Sequence, residues 1–144
     1  MFASMTWLSR FFILCGAVLA IGLQGPASAQ AVVQSEQIRA ELSAEHNTVA
    51  PGESLWVALT FDIKPGWHTY WRTPGDSGLP ANLNWTLPEG VTAGPLQWPP
   101  PERLAYGDLT NFGYSNKVTM LTELKVDAGA APADVVLKAE GMWL

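Results

Sequence analysis

The residues with the clearest potential for covalent chemistry are the tetrapeptide Gly-Asp-Ser-Gly at positions 75–78. This tetrapeptide also surrounds the catalytic serine of some proteases. A serine nucleophile needs a histidine base, and an acid must orient that base. Only His46 and His68 are available, and the chain is too short for the two barrels that those enzymes require. The tetrapeptide is therefore interpreted as a turn, in which Asp76 or Ser77 bonds nearby backbone amides.

A metal centre is a second kind of site that the sequence could encode. His68 lies within the aromatic run at residues 67–71, but no further ligands stand at the spacing that a zinc site needs. The only methionines after residue 29 are Met120 and Met142, which do not form a thioether copper site. His68 is interpreted as a partly buried histidine beside aromatic side chains, and no metal or other cofactor is expected.

The only cysteine, Cys15, lies in a leader segment rather than in the folded domain. Residues 1–29 show a positive start that ends at Arg10, an uncharged apolar run at residues 11–23, and the small residues Ala-Ser-Ala at 27–29. This order is typical of a secretory signal peptide. The apolar run rises only about 20 Å as a helix, whereas a membrane core is about 30 Å thick. Cys15 is interpreted as part of the apolar run and not as a lipidation site.

Removal of the leader leaves a domain at residues 30–144, with 115 residues and no cysteine. That absence excludes an internal disulfide framework and a cysteine-ligated zinc site. The leader contains one base and no acid, so the net charge changes from −5 to −6 on cleavage. A nucleic-acid-binding domain would carry a basic face, and we expect no nucleic-acid partner. An apolar content of 48% with 15% charged residues excludes a disordered tail.

The mature sequence consists of short segments of alternating polarity separated by turn residues. Residues 55–63 alternate without a break and are the clearest strand. Weaker alternation or β-rich composition predicts further strands at residues 38–45, 67–71, 83–87, 117–126 and 134–144. Turn residues such as Pro51 and Gly52 lie between them. Short strands without a long helical period predict an all-β protein, an immunoglobulin-like antiparallel β-sandwich.

The segment from residue 65 to residue 114 contains eight prolines and seven glycines. Its later part has little periodicity, which predicts a long ordered loop, and such loops are often functional. An acid and a phenol near a reactive group can tune proton transfer, but a solvated loop with aromatic pins has the same composition. The residues concerned are Glu102, Tyr106, Asp108, Phe112 and Tyr114.

Six tryptophans follow the leader, which is a large number for a domain of this size. Trp85 and Trp143 have the phase of inward-facing strand residues, whereas Trp56 has the opposite phase. Exposed tryptophans stack on sugars or anchor protein partners. A second hypothesis is therefore a non-enzymatic β-sandwich that binds a protein or a glycan through exposed aromatic residues.

A specific run at residues 65–80 reads Pro-Gly-Trp-His-Thr-Tyr-Trp-Arg-Thr-Pro-Gly-Asp-Ser-Gly-Leu-Pro. Together with Trp-Thr-Leu-Pro-Glu-Gly-Val at 85–91 and Gln-Trp-Pro at 97–99, it closely resembles the N-terminal periplasmic domain of DsbD-type protein-disulfide reductases. The ScsB-like branch, which is linked to copper tolerance, is the more similar one. The resemblance extends over essentially the whole mature chain.

This resemblance implies an immunoglobulin-like domain that takes part in thiol–disulfide exchange in the periplasm. In the family, a multi-span membrane domain and a thioredoxin-like domain supply electrons, which this domain passes to periplasmic disulfide proteins. The reactive element is a cysteine pair that follows a strand ending in Trp-Leu or a similar dipeptide. A cap, matched here by the segment from Glu102 to Tyr114, shields the pair. Tyr70 and Trp67 fall where the family places aromatic residues near it.

The sequence departs from the family pattern at the cysteine pair. Residues 143 and 144 are Trp-Leu, and no cysteine is present after Cys15. Exchange requires an attacking thiolate, so the chain as given is expected to be inactive and to contain no catalytic residue. We expect residues 30–144 to be an incomplete domain of a reductase anchored in the inner membrane. The alternative is a cysteine-less relative that serves as a binding module.

The leader assignment predicts cleavage after Ala29 and a mature protein that begins at Gln30. Intact-mass measurement of the protein recovered from the periplasm tests this prediction. Recovery of a periplasmic protein that still begins at Met1 would show that the segment is not a cleaved signal peptide.

Overall fold

The computed structural model describes residues 30–131, 134 and 136–143. These residues form ten strands and no helix. No helix of the length and apolar character needed to cross a membrane is therefore found in this part of the chain. The strands are β1 (Gln30–Gln34), β2 (Ile38–Ala44), β3 (Ser54–Ile63), β4 (Thr69–Gly75), β5 (Asn82–Thr86), β6 (Val91–Ala93), β7 (Glu102–Tyr106), β8 (Leu109–Tyr114), β9 (Lys117–Val126) and β10 (Lys138–Met142).

One five-stranded sheet forms the larger layer, in the order β1-β2-β3-β9-β6. The remaining strands form a two-stranded sheet, β10-β5, and a three-stranded sheet, β4-β8-β7. Every pairing between these strands is antiparallel. The prediction of an all-β antiparallel architecture is therefore confirmed.

Alternation along the central strands builds the core. In β3, every second residue from Leu55 to Ile63 is buried, and the residues between them are half-buried. β9 pairs with β3 in register and has the same alternation, so both strands present their apolar side chains to one side. Partly buried tryptophans from the other layer pack on this face, and the Trp143 ring lies 5.0 Å from that of Phe61. The predicted central position of the strand at 55–63 is confirmed.

Two local predictions are wrong. The aromatic run does not begin a strand at residue 67, because residues 64–67 form a turn. In that turn the Trp67 amide donates to the Lys64 carbonyl, and Gly66 has a φ of 85°. The segment from Glu102 to Tyr114 is also not a loop but the hairpin β7–β8, whose turn contains Gly107 at a φ of 59°. Strand pairing organises this hairpin although its sequence lacks a regular apolar alternation.

The face assignment in β3 can be tested by two neighbouring substitutions. Leu59→Ala should lower the free energy of unfolding by about 2–5 kcal/mol, because it leaves a cavity in the core. Thr60→Ala is the matched control. Thr60 faces outward and bonds only the Thr119 hydroxyl, at 2.9 Å on the exposed surface, which is worth about 0.2–1 kcal/mol. Urea denaturation measures both values, and equal small losses would contradict the assignment.

Candidate functional site

The small sheet β4-β8-β7 brings together most residues that the sequence singled out. Tyr70 of β4 pairs with Gly113 of β8, and Gly113 pairs with Glu102 of β7 on its other side. Thr69 of β4 pairs with Tyr114 of β8. The hairpin and the aromatic run therefore share one sheet, although thirty residues lie between them in the sequence.

The predicted cap residues do not share one face of this sheet. Residues directly opposite each other in an antiparallel pair point to the same side. Glu102 and Tyr106 lie on the outer face with Tyr70, whereas Phe112 and Tyr114 lie on the face that turns toward the core. Asp108 is exposed in the hairpin turn. The five residues therefore cannot act as a single cluster.

Tyr114 is a structural pin in this arrangement. Its side chain belongs to the core, and its hydroxyl donates to the Pro99 carbonyl at 2.7 Å. Burial disfavours the charged phenolate and raises the pKa of Tyr114 to about 12. Of the two interpretations left open by the sequence, these contacts fit an aromatic pin, because the side chain is packed in the core and its hydroxyl is bonded to Pro99.

The tip of the hairpin presents exposed apolar surface. Tyr106 is 72% exposed, and its cross-strand partner Leu109 is also exposed. Phe112 is 36% exposed although it lies on the face that turns toward the core. Exposed aromatic and aliphatic side chains at the end of a hairpin can contact either a partner or a reactive group beneath them.

Tyr70 is flanked by other residues of the aromatic run. The ring of His68 meets the Tyr70 ring edge-on with centroids 5.0 Å apart, so His68 is a half-buried histidine beside an aromatic residue, as predicted. Trp67 is 54% exposed in the preceding turn. In the described part of the chain, no three His, Cys, Asp or Glu side chains gather in a way that could hold a metal ion.

The end of β10 is connected to Tyr70 through the segment at residues 80–82. Met142 pairs with Asn82 in β5, and Tyr70 forms an isolated bridge with Pro80, two residues before Asn82. This corner of the molecule is the candidate functional site, and Tyr70, the hairpin and the end of β10 surround it.

The Gly-Asp-Ser-Gly tetrapeptide adjoins the site as a turn, which confirms its interpretation. A carboxylate oxygen of Asp76 accepts from the Thr110 amide at 2.8 Å. The Ser77 hydroxyl bonds the side-chain amide of Asn111 and not a histidine. Asn111 was missed by the sequence analysis, because a single polar residue in an aperiodic segment gives no sign of burial.

A comparison with known families shows which family the chain matches. The sequence profile described as "Thiol:disulfide interchange protein DsbD, N-terminal" matches residues 30–141, which is most of the chain.

The chain belongs to this family.

A solved structure supports the fold of this DsbD N-terminal domain. The chain is similar to the crystal structure of the N-terminal periplasmic domain of ScsB from Proteus mirabilis, with a TM-score of 0.58 and 21% sequence identity. The match covers 82% of this chain and 51% of that chain, so the chain spans about half the length of the solved domain. The predicted immunoglobulin-like β-sandwich is confirmed. No curated protein sequence matches the chain.

The burial of the Tyr114 phenol in this DsbD-family domain can be tested by varying the pH. The unfolded phenol ionises near pH 10, whereas folded Tyr114 holds its proton until about pH 12. Because the folded pKa is the higher one, this contribution to stability is complete below pH 10 and is lost as the pH rises toward 12. Tyr114→Phe should therefore reduce the alkaline slope of the unfolding free energy, by up to about 1.4 kcal/mol per pH unit.

Urea denaturation across this pH range is the measurement. Tyr106→Phe, which removes one hydroxyl from an exposed side chain, is measured alongside as the matched control. An unchanged slope in Tyr114→Phe would show that Tyr114 is not buried in the folded state.

Proposed function

We propose that this chain is the N-terminal domain of a periplasmic thiol:disulfide interchange protein. In this proposal it passes electrons from a thioredoxin-like domain and a membrane domain to periplasmic disulfide proteins. The observation that carries the proposal is the family match over residues 30–141. The match begins where the predicted leader ends, which supports export and a mature terminus at Gln30. The link to copper tolerance seen in the ScsB-like branch is part of the same proposal.

The chemistry requires groups that residues 30–144 do not contain. In thiol–disulfide exchange, a thiolate attacks one sulfur of a disulfide and displaces the other sulfur as a thiolate. The resulting mixed disulfide is resolved when a second thiol attacks it, so two cysteines become oxidised as the partner is reduced. No cysteine follows Cys15 in the sequence. The proposal therefore assigns the cysteine pair to a part of the protein outside these 144 residues.

The proposed place for the pair is the corner beside Tyr70. The strand β10 runs toward this corner, where Met142 pairs beside the Pro80 bridge to Tyr70. Trp143 packs on Phe61 and fixes the direction of the chain there. A thiol at this position would have the Tyr70 ring on one side. Apolar surroundings disfavour the thiolate form, so a pair held there would stay protected until a partner displaces its cover.

The proposed cover is the β7–β8 hairpin. Phe112 is its exposed aromatic side chain on the core-facing side, where Trp143 after β10 also packs, whereas Tyr106 and Leu109 are exposed on the face of Tyr70. Tyr106 and Asp108 lie at the hairpin tip, seven and five residues from Gly113, and Glu102 is at its base. In this proposal the tip contacts the incoming thioredoxin-like partner, and Trp67 extends the contact surface on the other side of Tyr70.

The second candidate function is a cysteine-less binding module, and the exposed aromatic residues favour it. Trp67 and Tyr106 both present more than half of their surface to solvent, which suits stacking on a sugar or anchoring a protein. The coding sequence beyond codon 144 distinguishes the two candidates. A cysteine pair followed by hydrophobic spans supports the interchange protein, whereas a stop codon supports the binding module.

The missing thiol leads to a direct activity test. The protein of residues 30–144 should show no disulfide reductase activity, because it has no thiolate to attack a disulfide. A longer protein that contains the expected cysteine pair should exchange with a reduced thioredoxin-like partner. Insulin reduction and mixed-disulfide trapping measure both. Reductase activity in the cysteine-free chain, or none in the longer protein, would contradict the proposal.

The cover can be tested in the longer protein by side-chain truncation, which leaves the strand pairing of β8 intact. Phe112→Ala should increase the rate at which a small alkylating reagent modifies the thiols by several-fold, because it uncovers them. Leu121→Ala is the matched control, since Leu121 is 39% exposed on the far face of β9. Equal alkylation rates in the wild type and in Phe112→Ala would leave the hairpin as ordinary surface.

A further inference from the structure

Asn111 is a polar side chain buried at the centre of the hairpin strand β8. It is 1% exposed, and it lies on the outer face of the small sheet, away from the apolar core. Its cover is the segment at residues 76–78, which folds back over β8. A buried amide costs free energy unless its hydrogen bonds are satisfied, so the covering segment must supply the partners.

Hydrogen bonds attach the covering segment to β8. The side-chain oxygen of Asn111 accepts from the Ser77 amide at 3.0 Å, and its amino group donates to the Ser77 hydroxyl at 3.0 Å. Asp76 adds two more bonds to Thr110. Its backbone amide donates to the Thr110 carbonyl at 3.1 Å, and its carboxylate accepts from the Thr110 amide at 2.8 Å.

Two glycines make this close approach possible. Gly75 has a φ of 95°, and a Cβ there would overlap the Thr110 carbonyl oxygen and lie 3.0 Å from the Asn111 Cα. Gly78 has a φ of 90°, and a Cβ there would overlap the ring of Tyr70. The Tyr70 ring therefore rests directly on the backbone of Gly78. Both positions require glycine, because other residues rarely adopt these φ values.

We propose that Asn111 is a positioning residue that fixes the Tyr70 ring through Ser77 and Gly78. The amide of Asn111 holds Ser77, Ser77 places Gly78, and Gly78 supports the ring. The relevance of this chain of contacts to redox chemistry rests on the proposed function, in which Tyr70 borders the cysteine pair. The Gly-Asp-Ser-Gly tetrapeptide is then a clamp between the aromatic run and the hairpin.

The clamp has a consequence for any movement of the β7–β8 hairpin, which is the proposed cover of the thiols. β8 is bonded both to the segment at residues 76–78 and to β4, which carries Tyr70. A displacement of the hairpin at Asn111 therefore also displaces the support of the Tyr70 ring. The hairpin and Tyr70 should respond together when a partner approaches, and not as two independent gates.

Fluorine NMR of the protein labelled with fluorotyrosine tests the clamp without requiring thiols. The protein contains three tyrosines, at positions 70, 106 and 114, so each resonance can be assigned by a Tyr→Phe variant. Asn111→Leu removes both partners of Ser77 and should shift or broaden the Tyr70 resonance. Asn111→Asp keeps the acceptor for the Ser77 amide and should largely restore the wild-type resonance.

Two glycine variants give the matched comparison. Gly78→Ala should shift the Tyr70 resonance most, because the added Cβ meets the ring. Gly66→Ala has a similar φ of 85° but nothing within 4 Å of the added Cβ, so it should impose the backbone strain alone and leave the resonance in place. If Asn111→Leu does not fold, Ser77→Ala, which removes only the hydroxyl, should give a smaller shift of the same resonance.

The tyrosine resonances also show whether the proposal is wrong. A general loss of structure would move the Tyr114 resonance in the core together with that of Tyr70. An unchanged Tyr70 resonance in folded Asn111→Leu, or equal shifts in Gly66→Ala and Gly78→Ala, would show that the clamp does not position the ring.

The redox part is tested separately in the longer protein with the cysteine pair. Asn111→Leu should speed thiol alkylation by several-fold, and Asn111→Asp should restore the slow rate. A shifted Tyr70 resonance without any change in alkylation would overturn the link to the thiols but keep the clamp. A protein that lacks reductase activity would instead overturn the proposed function and leave the NMR result standing.

Discussion

The pairing of β3 with β9 is the interaction on which the rest of the molecule depends. Nine consecutive residue pairs, from Ser54↔Lys125 to Asp62↔Lys117, hold these strands in one register. Because side chains alternate across a strand, a slip of one residue would turn every core side chain outward. The apolar face of the two strands is the surface on which the second layer packs. Its tryptophans and Tyr114 lie where they do because Phe61 and Met120 are completely buried beneath them.

The second layer is less regular than the first, and the candidate site results from this irregularity. Between Tyr70 and Gly75 the chain takes five steps along β4 against two along β8, so the strand bulges and its end turns back over the hairpin. Bulges of this kind occur next to functional sites because they redirect side chains. Here the bulge frees the segment at residues 76–78 to cover Asn111 and to support Tyr70. A regular strand would leave Asn111 exposed and the Tyr70 ring without its support at Gly78.

The two faces of the small sheet have different physical roles. The inner face holds Tyr114 in an apolar setting, where burial keeps the phenol protonated and its hydroxyl is satisfied by Pro99. The outer face is held by polar bonds between Asn111 and Ser77. Hydrogen bonds are directional whereas apolar contacts are not. The outer face can therefore hold one ring in one place.

The sequence by itself determined the all-β fold, the central strand and the turn at Gly-Asp-Ser-Gly. Each depends on local information: a period of two along residues 55–63, or glycines at a positive φ that let the chain bend at residues 75–78. The motif run at residues 65–80 also indicated the family, and the family match confirmed it. Only the tertiary structure decided that residues 102–114 form a hairpin, that its aromatic residues point to opposite faces, and that Asn111 is buried. These features depend on pairing between segments far apart in the chain, and a sequence pattern records a residue's own polarity but not the strand that will lie beside it.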